Sequence, residues 1–257
     1  MRPPLSLCNL CGFIVAAAGL LGMAPHSLGV ITAGGLNLKP MDSYVGQWGL
    51  GTAVAVGKRT ILSAAHLGGE VGEAFVMDGK VYQAVSVSTS PDSDLMRITL
   101  DTDLPGYYPI ATSLKRGAKV LVAGFGATGT SRTSSGLKWG DGGQEVWGAN
   151  TLDAVGAGQL AFRFDKSGGA SEAGLGVGDS GGAIFVQGRG GSLQLAGIAT
   201  SISGRFGVTR YGDWSYAVNL TSQRGFLGGA AVAVPSGGTA SVLGSAGVML
   251  LRRRRPR

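Results

Sequence analysis

The sequence predicts an all-β protein built of short antiparallel strands, on three observations. The chain has 257 residues, 44% of them hydrophobic, which is enough to bury a sizeable core in one or two domains. Its 47 glycines have no period of three, and they interrupt short apolar runs as turns between strands do. No amphipathic helical pattern stands out in residues 30–114, so we expect strands to form most of the fold.

The net charge of +7 is concentrated at the two ends of the chain. Arg2 and the five arginines at 252–255 and 257 lie in segments that contain no acidic residue. The other 16 of the 22 basic residues are nearly balanced by 15 acidic ones, which leaves a net charge of only +1 between the two ends. This central part of the chain therefore carries no excess of positive charge for binding nucleic acid. We therefore expect no nucleic-acid partner.

Few residues are available for a metal site. Cys8 and Cys11 both lie in the first dozen residues, and His26 and His66 are the only histidines. A cysteine-based zinc site or a site with several histidines would need more ligands. We expect no metal and no cofactor.

Residues 1–29 are predicted to be a signal peptide, with room for a short propeptide. Arg2 gives a positive start, and Phe13–Ala24 is an uncharged apolar run of 12 residues, short for a transmembrane helix. Cleavage is expected after Ala24 or further on, as far as Ala33. The alternative is an uncleaved membrane anchor.

The first group of predicted strands lies in residues 30–114. The apolar runs there are short, rich in β-branched residues and bounded by glycine. Asp78-Gly79 is a hairpin signal between two of them. The predicted strands are Gly51–Gly57, Arg59–Ser63, Glu73–Met77, Val81–Val87 and Leu95–Leu100.

The second group lies in residues 115–228. A polar run of glycine, serine and threonine over 127–143 predicts a loop, and Thr221–Leu227 predicts a short helix. The predicted strands are Val120–Gly126, Glu145–Trp147, Gln159–Phe164, Ala183–Val186, Gln194–Ser201 and Ser215–Val218.

The strongest chemical motif is Gly178-Asp179-Ser180-Gly181-Gly182. Glycines allow a tight turn that exposes the Ser180 hydroxyl as a nucleophile and lets the main chain approach a substrate closely. The N–H groups of Gly178 and Ser180 could then converge on one oxyanion. The partner base is predicted to be His66, which directly follows an apolar strand.

These motifs resemble those of trypsin-like serine proteases of the chymotrypsin fold, from about Val30 to Leu227. The resemblance implies two antiparallel six-stranded β-barrels, in residues 30–114 and 115–228, with a short C-terminal helix and an active site between them. The matching stretches are Ser63–His66, Asp94–Leu100, Val122–Thr128, Gly178–Gly182 and Ala196–Ser201.

The resemblance also implies roles for the matched residues. Ser180 is the nucleophile, His66 is the general base, and Asp94 holds the imidazole in the correct tautomer. Gly178 and Ser180 supply the oxyanion hole. Asp94 is preferred over the nearby Asp92, Asp101 and Asp103 because it directly precedes an apolar run.

In this family the residue that follows the first oxyanion glycine pairs with a new N-terminal ammonium, a role that would fall to Asp179. Val30-Ile31 could supply that N-terminus, and the alternative is a simple turn carboxylate without zymogen control.

The primary pocket is predicted from the family's spacing. Gly174, Thr200, Ile202 and Trp214 would line it, and Gly174 replaces the acid of trypsin. The predicted pocket is narrow and apolar and favours small or medium side chains. Asp213 would restore an acid if the alignment slipped by one residue.

Residues 229–257 are predicted to be a sorting or anchor tail. Thr239–Leu251 is an apolar run of 13 residues, short of the ~20 that span a bilayer, and four arginines follow it. The tail resembles PEP-CTERM sorting signals, although Pro235 lacks the usual Glu-Pro pair. That resemblance implies export to the envelope of a Gram-negative-type bacterium, with a sorting protease as partner. The alternatives are a plain membrane anchor and a disordered basic end.

The predicted activity is endopeptidase cleavage of proteins or peptides through an acyl-enzyme. A catalytically silent protease homologue that binds a partner is the alternative, and an esterase with the same triad is a third interpretation.

Overall fold

The structure is a computed structural model that describes residues 30–228 of the chain. After the short strand β1 (Ile31–Thr32), six strands close into an antiparallel barrel. They are β2 (Val45–Trp48), β3 (Gly51–Gly57), β4 (Thr60–Ser63), β5 (Ala74–Met77), β6 (Lys80–Thr89) and β7 (Met96–Leu100). Their order around the barrel is β2-β3-β4-β7-β6-β5.

Buried side chains of this barrel form one core. Trp48, Ile61 and Phe75 are fully buried in it, as expected for strands whose alternate side chains point inward. Asp78 and Gly79 join β5 to β6 with φ angles of 49° and 71°, the positive values that a tight hairpin turn requires. The predicted hairpin is therefore confirmed.

The rest of the described chain contributes eleven further strands and one helix. They are β8 (Lys119–Gly124), β9 (Thr128–Thr133), β10 (Gly136–Gly140), β11 (Val146–Thr151), β12 (Ala154–Val155), β13 (Gln159–Arg163), β14 (Ala173–Gly174), β15 (Ala183–Gln187), β16 (Leu193–Ile202), β17 (Val208–Arg210), β18 (Trp214–Asn219) and α1 (Arg224–Leu227).

Seven of these strands form a second antiparallel sheet in the order β11-β8-β15-β16-β18-β13-β12. Only Leu152 and Asp153 separate β11 from β12, so the two ends of this sheet are consecutive in the chain. These seven strands form an open half-barrel sheet, where the resemblance implied a second closed barrel of six strands. The all-β prediction, with one short C-terminal helix, is confirmed.

A third sheet, in the order β17-β10-β9, lies where the sequence predicted a polar loop over 127–143. That loop prediction is wrong for β9 and β10. Leu137 of β10 is buried with Ile31 and Phe164, and Trp139 packs against the same cluster, so two apolar side chains attach this hairpin to the second half. Two apolar positions among polar residues give too little periodicity to be read from the sequence.

Each end of the described chain contacts the opposite half: the N-terminal end contacts the second half, and the C-terminal end contacts the first barrel. β1, which precedes the first barrel, pairs with β14 of the second half. Arg97 of the first barrel donates a 2.9 Å hydrogen bond to the Phe226 carbonyl in α1. The signal-peptide and tail predictions for 1–29 and 229–257 lie outside the described residues. Within 30–228, no helix has the length and apolar character needed to cross a bilayer.

Candidate active site

His66 and Asp94 are brought together by one strand pair of the first barrel. β4 and β7 are antiparallel neighbours in which Ser63 pairs with Met96, so the residues just beyond these strand ends meet. His66 follows β4 in a single 3₁₀ turn, Ala65–Leu67. Its backbone N–H donates a 2.8 Å hydrogen bond to Asp94 Oδ1.

The imidazole of His66 lies between a carboxylate and a hydroxyl. Its Nδ1 is 2.6 Å from Asp94 Oδ2, and its Nε2 is 2.8 Å from Ser180 Oγ. An ionised carboxylate can only accept, so Nδ1 carries the proton and a neutral imidazole presents its Nε2 lone pair to Ser180. Ser180 Oγ–H is then the donor to the ring, which is the arrangement needed for proton removal from the hydroxyl.

Ser180 reaches this position on a loop that presses against the first barrel. The Thr52 N–H in β3 donates a 2.8 Å hydrogen bond to the Ser180 carbonyl. Gly181 has φ +81°, and a Cβ there would collide with the Thr52 carbonyl oxygen. Only glycine therefore fits at this contact. Thr52 was not singled out from the sequence, because a threonine inside an apolar strand carries no motif.

The predicted oxyanion donors lie on the same loop. Gly178 has φ +89°, and the neighbouring Gly181 and Gly182 N–H groups bond to the Ala199 and Asp179 carbonyls. Among residues 30–228, the N–H groups of Gly178 and Ser180 have no protein acceptor. Both donors are thus available to a substrate oxygen.

Asp179 is fully buried beneath this loop. Its Oδ1 accepts from Gly126 N–H at 2.9 Å and its Oδ2 from Gly176 N–H at 2.8 Å. Burial raises the pKa of Asp179 well above its usual range, and the hydrogen bond from Gly176 opposes that rise only in part. Val30 and Ile31, the predicted N-terminus, are buried in the same half.

A cavity of about 270 Å³ lies beside Ser180. Thr200 and Ile202 line it, as predicted positions of the primary pocket. Gly174 and Trp214 are not among its lining residues. Gly174 pairs with Ile31 in the core, and Trp214 pairs with Arg163 in the sheet. The rest of the lining is Leu175, Gly176, Val177, Gly178, Asp179, Ser180 and Ser201.

Leu175 and Val177 were missed because the family's spacing placed the floor of the pocket at Gly174. No sequence signal marks the shift of one to three residues that the structure shows. In the described part of the chain, no group of three or more His, Cys, Asp or Glu side chains is placed to hold a metal ion.

No family model and no curated protein matches this sequence. Solved structures do match it, including neuropsin, a serine protease expressed in the limbic system of mouse brain. The TM-score is 0.57 at 16% sequence identity, and the match covers 73% of this chain and 93% of neuropsin. At this identity the likeness concerns the fold alone. The chain therefore has a chymotrypsin fold, with His66 and Asp94 on one half and Ser180 on the other.

Proposed function

We propose that this protein is a serine endopeptidase that cleaves proteins or peptides. The observation that carries the proposal is the His66 ring, which bonds Asp94 at 2.6 Å and Ser180 at 2.8 Å through its two nitrogens. The stability of the fold does not require these three side chains, which are far apart in sequence, to form a hydrogen-bonded chain from aspartate through histidine to serine. A carboxylate, an imidazole and a hydroxyl in this sequence of hydrogen bonds form the arrangement that activates a serine nucleophile.

The reaction follows from these positions. Ser180 Oγ attacks the scissile carbonyl carbon while its proton passes to His66 Nε2. The N–H groups of Gly178 and Ser180 bind the carbonyl oxygen as it becomes negative. His66 then returns the proton to the leaving amine, and the C–N bond breaks to give an acyl-enzyme. Water, deprotonated by His66, attacks the ester and releases the acid and Ser180.

The cavity beside Ser180 supports an apolar substrate preference. Leu175, Val177 and Ile202 supply apolar surface to it. The one carboxylate in its lining, Asp179, already accepts two backbone N–H groups. No carboxylate is left there for a basic side chain, so we expect cleavage after small or medium apolar residues. Predominant cleavage of a peptide library after Arg or Lys would contradict this specificity.

Maturation at Val30 is a further part of the proposal. A buried carboxylate without a cation is costly, and an ammonium group at Val30 would supply one. The burial of Val30 and Ile31 in the half that holds Asp179 is consistent with this. N-terminal sequencing of the active form should find a start at or beside Val30, and a start well away from it would contradict the pairing.

Export and sorting rest on the sequence of the two ends. A signal peptide within 1–29 and a PEP-CTERM-like tail in 229–257 support an envelope or extracellular location and a sorting protease as partner. Mass spectrometry of the exported protein tests both, because it fixes the two ends at once. A mature protein that retains both complete ends would contradict this part of the proposal.

Labelling with a fluorescent phosphonate probe that reacts covalently with active-site serines tests the endopeptidase proposal. We expect one covalent label on Ser180, lost in Ser180→Ala and strongly slowed in His66→Ala, together with cleavage of unfolded casein. A folded protein that takes no label would instead be the silent homologue that only binds a partner. Label with ester turnover but no peptide cleavage would indicate an esterase.

A further inference from the structure

Three basic side chains lie on one face of the small sheet β17-β10-β9. Lys138 in β10 pairs with Val208 in β17, Gly136 pairs with Arg210, and Arg205 forms a bridge with Val208 from the other side. Directly paired residues, and residues two apart on a strand, point to the same side of an antiparallel sheet. Lys138, Arg205 and Arg210 therefore surround Val208 on one face, which we call the basic face.

These three charges have no counter-ion in the described part of the chain. All three side chains are exposed, and none forms an ion pair there. Asp213 lies in the same region, and its Oδ2 accepts from the Arg210 backbone N–H at 2.7 Å. Like charges on adjacent strands repel, so the fold gains nothing from gathering them. An anionic partner would relieve that repulsion.

An exposed aromatic ring accompanies the basic face. Phe206 follows Arg205 in the turn before β17 and is 80% exposed. Its ring lies 5.4 Å from the ring of Trp139 in β10, whose side chain bonds Thr209 and packs with Leu137 on the face opposite to the basic face. Arginine and aromatic side chains are the residues enriched in the centres of protein interfaces. The turn thus exposes an apolar ring at the edge of the basic face, directly after Arg205 in the chain.

A short chain segment separates the basic face from the cavity beside Ser180. β16 carries the pocket residues Thr200 and Ile202, and the chain reaches Arg205 three residues later. At the start of β9, the Ala127 N–H donates a 3.1 Å hydrogen bond to the carbonyl of Val177, another pocket residue. The chain thus leads from the cavity wall at Ile202 to Arg205 within three residues, so we expect a peptide held in the cavity to come near the basic face.

We propose that the basic face binds an acidic segment of the substrate next to the cleaved bond, which rests on the endopeptidase function proposed above. The chemistry recognised is a run of carboxylates with an apolar neighbour for Phe206. The near-zero charge of the remaining body makes an extended polyanion such as nucleic acid a poor match. A short acidic peptide needs no more than the three cations present.

Binding can be measured without catalysis. Ser180→Ala protein is titrated with fluorescein-labelled hexaglutamate and with hexaglutamine at low and high salt. We expect hexaglutamate binding that weakens about tenfold in the triple variant Lys138→Ser, Arg205→Ser, Arg210→Ser and that fades with added salt. The control variant Lys58→Ser, Lys80→Ser, Arg132→Ser loses the same charge elsewhere. Arg132 pairs with the buried Leu137, so it belongs to the opposite face.

The proposal is overturned if the triple variant and the control bind hexaglutamate equally. It is also overturned if phosphatidylglycerol vesicles bind through these three cations while hexaglutamate does not, which would indicate a membrane surface. In the active protein, the ratio of kcat/KM for a peptide with flanking glutamates to that for its glutamine counterpart should fall towards one only in the triple variant. If no peptide is cleaved, hexaglutamate binding still reports on the basic face, so the two proposals fail separately.

Discussion

The two halves of the fold hold the residues of the proposed triad by different means. In the first barrel, His66 and Asp94 lie just beyond the ends of the paired strands β4 and β7. Leu62 in β4 and Leu95, directly before β7, are fully buried. In the second half, Ser180 lies on a loop whose shape depends on glycines with positive φ and on the buried carboxylate of Asp179. Side-chain packing positions His66 and Asp94, whereas main-chain geometry positions Ser180.

This difference predicts different sensitivities in the two halves. A strand pair with a packed core tolerates small backbone changes near its ends, because many contacts fix it. A loop that a backbone carbonyl contacts directly tolerates no added atom. The four predictions below test this contrast, from the largest expected effect to the smallest.

Removing either partner of the central hydrogen bond should stop the reaction. We expect Ser180→Ala and His66→Ala each to lower kcat by about 10⁴-fold or more, because each deletes a group that transfers a proton or forms a bond. The kcat of the double variant should be no lower than that of the less active single variant, since Ser180 and His66 act as one unit. Additive losses in steady-state peptide cleavage would mean that they act independently.

Asp94→Asn tests the first barrel alone. The amide can donate to His66 Nδ1, which favours the wrong tautomer, so we expect kcat to fall by about 10⁴-fold with the fold intact. The measurements are kcat on a peptide substrate and circular dichroism of the variant. Asp92→Asn is the matched control and should retain activity. If Asp92→Asn were the inactive one, the orienting carboxylate would have been misassigned.

Gly181→Ala compared with Ala64→Gly contrasts the two halves directly. At Gly181 we expect a loss of about 3 kcal/mol in the free energy of unfolding, because a Cβ meets the Thr52 carbonyl and φ is +81°. Ala64, beside His66, has ordinary extended backbone, so glycine there should cost at most about 2 kcal/mol. Urea unfolding measures both. Equal costs would remove the contrast between the halves.

Asp179 should give stability a pH dependence of a defined sign. Its pKa is raised by burial, so in a chain without a cation beside it the folded state binds the proton more tightly than the unfolded state. The stability gained from this tighter proton binding is fully present below the ordinary pKa of aspartate, and it is lost as the pH rises through the raised pKa of Asp179. The free energy of unfolding should fall there by up to about 1.4 kcal/mol per pH unit.

Asp179→Asn should abolish that slope. The form that begins at Val30 should also lack it if its ammonium group neutralises Asp179. Urea unfolding at a series of pH values compares the variant and the two forms. A slope of the same size in all three would exclude Asp179 as its source.

The sequence predicted the parts of the site that have local signatures. The glycines around Ser180, and the apolar strands that border His66 and Asp94, can be recognised without a structure. The hairpin β9–β10 could not, since only Leu137 and Trp139 of its side chains pack against the core. The lining of the cavity could not either, because Gly174 pairs with Ile31 of β1, a partner far away in sequence, while Leu175 and Val177 line the cavity.

The most direct test of the central claim is proton NMR of the His66 ring. His66 is the only histidine from Val30 onward, so the signals of a chain that begins there need no assignment between histidines. We predict a strongly downfield Nδ1–H signal that persists in Ser180→Ala and disappears in Asp94→Asn. A ring whose signals are indifferent to Asp94→Asn would contradict the account, because Asp94 would then not hold the Nδ1 proton of His66.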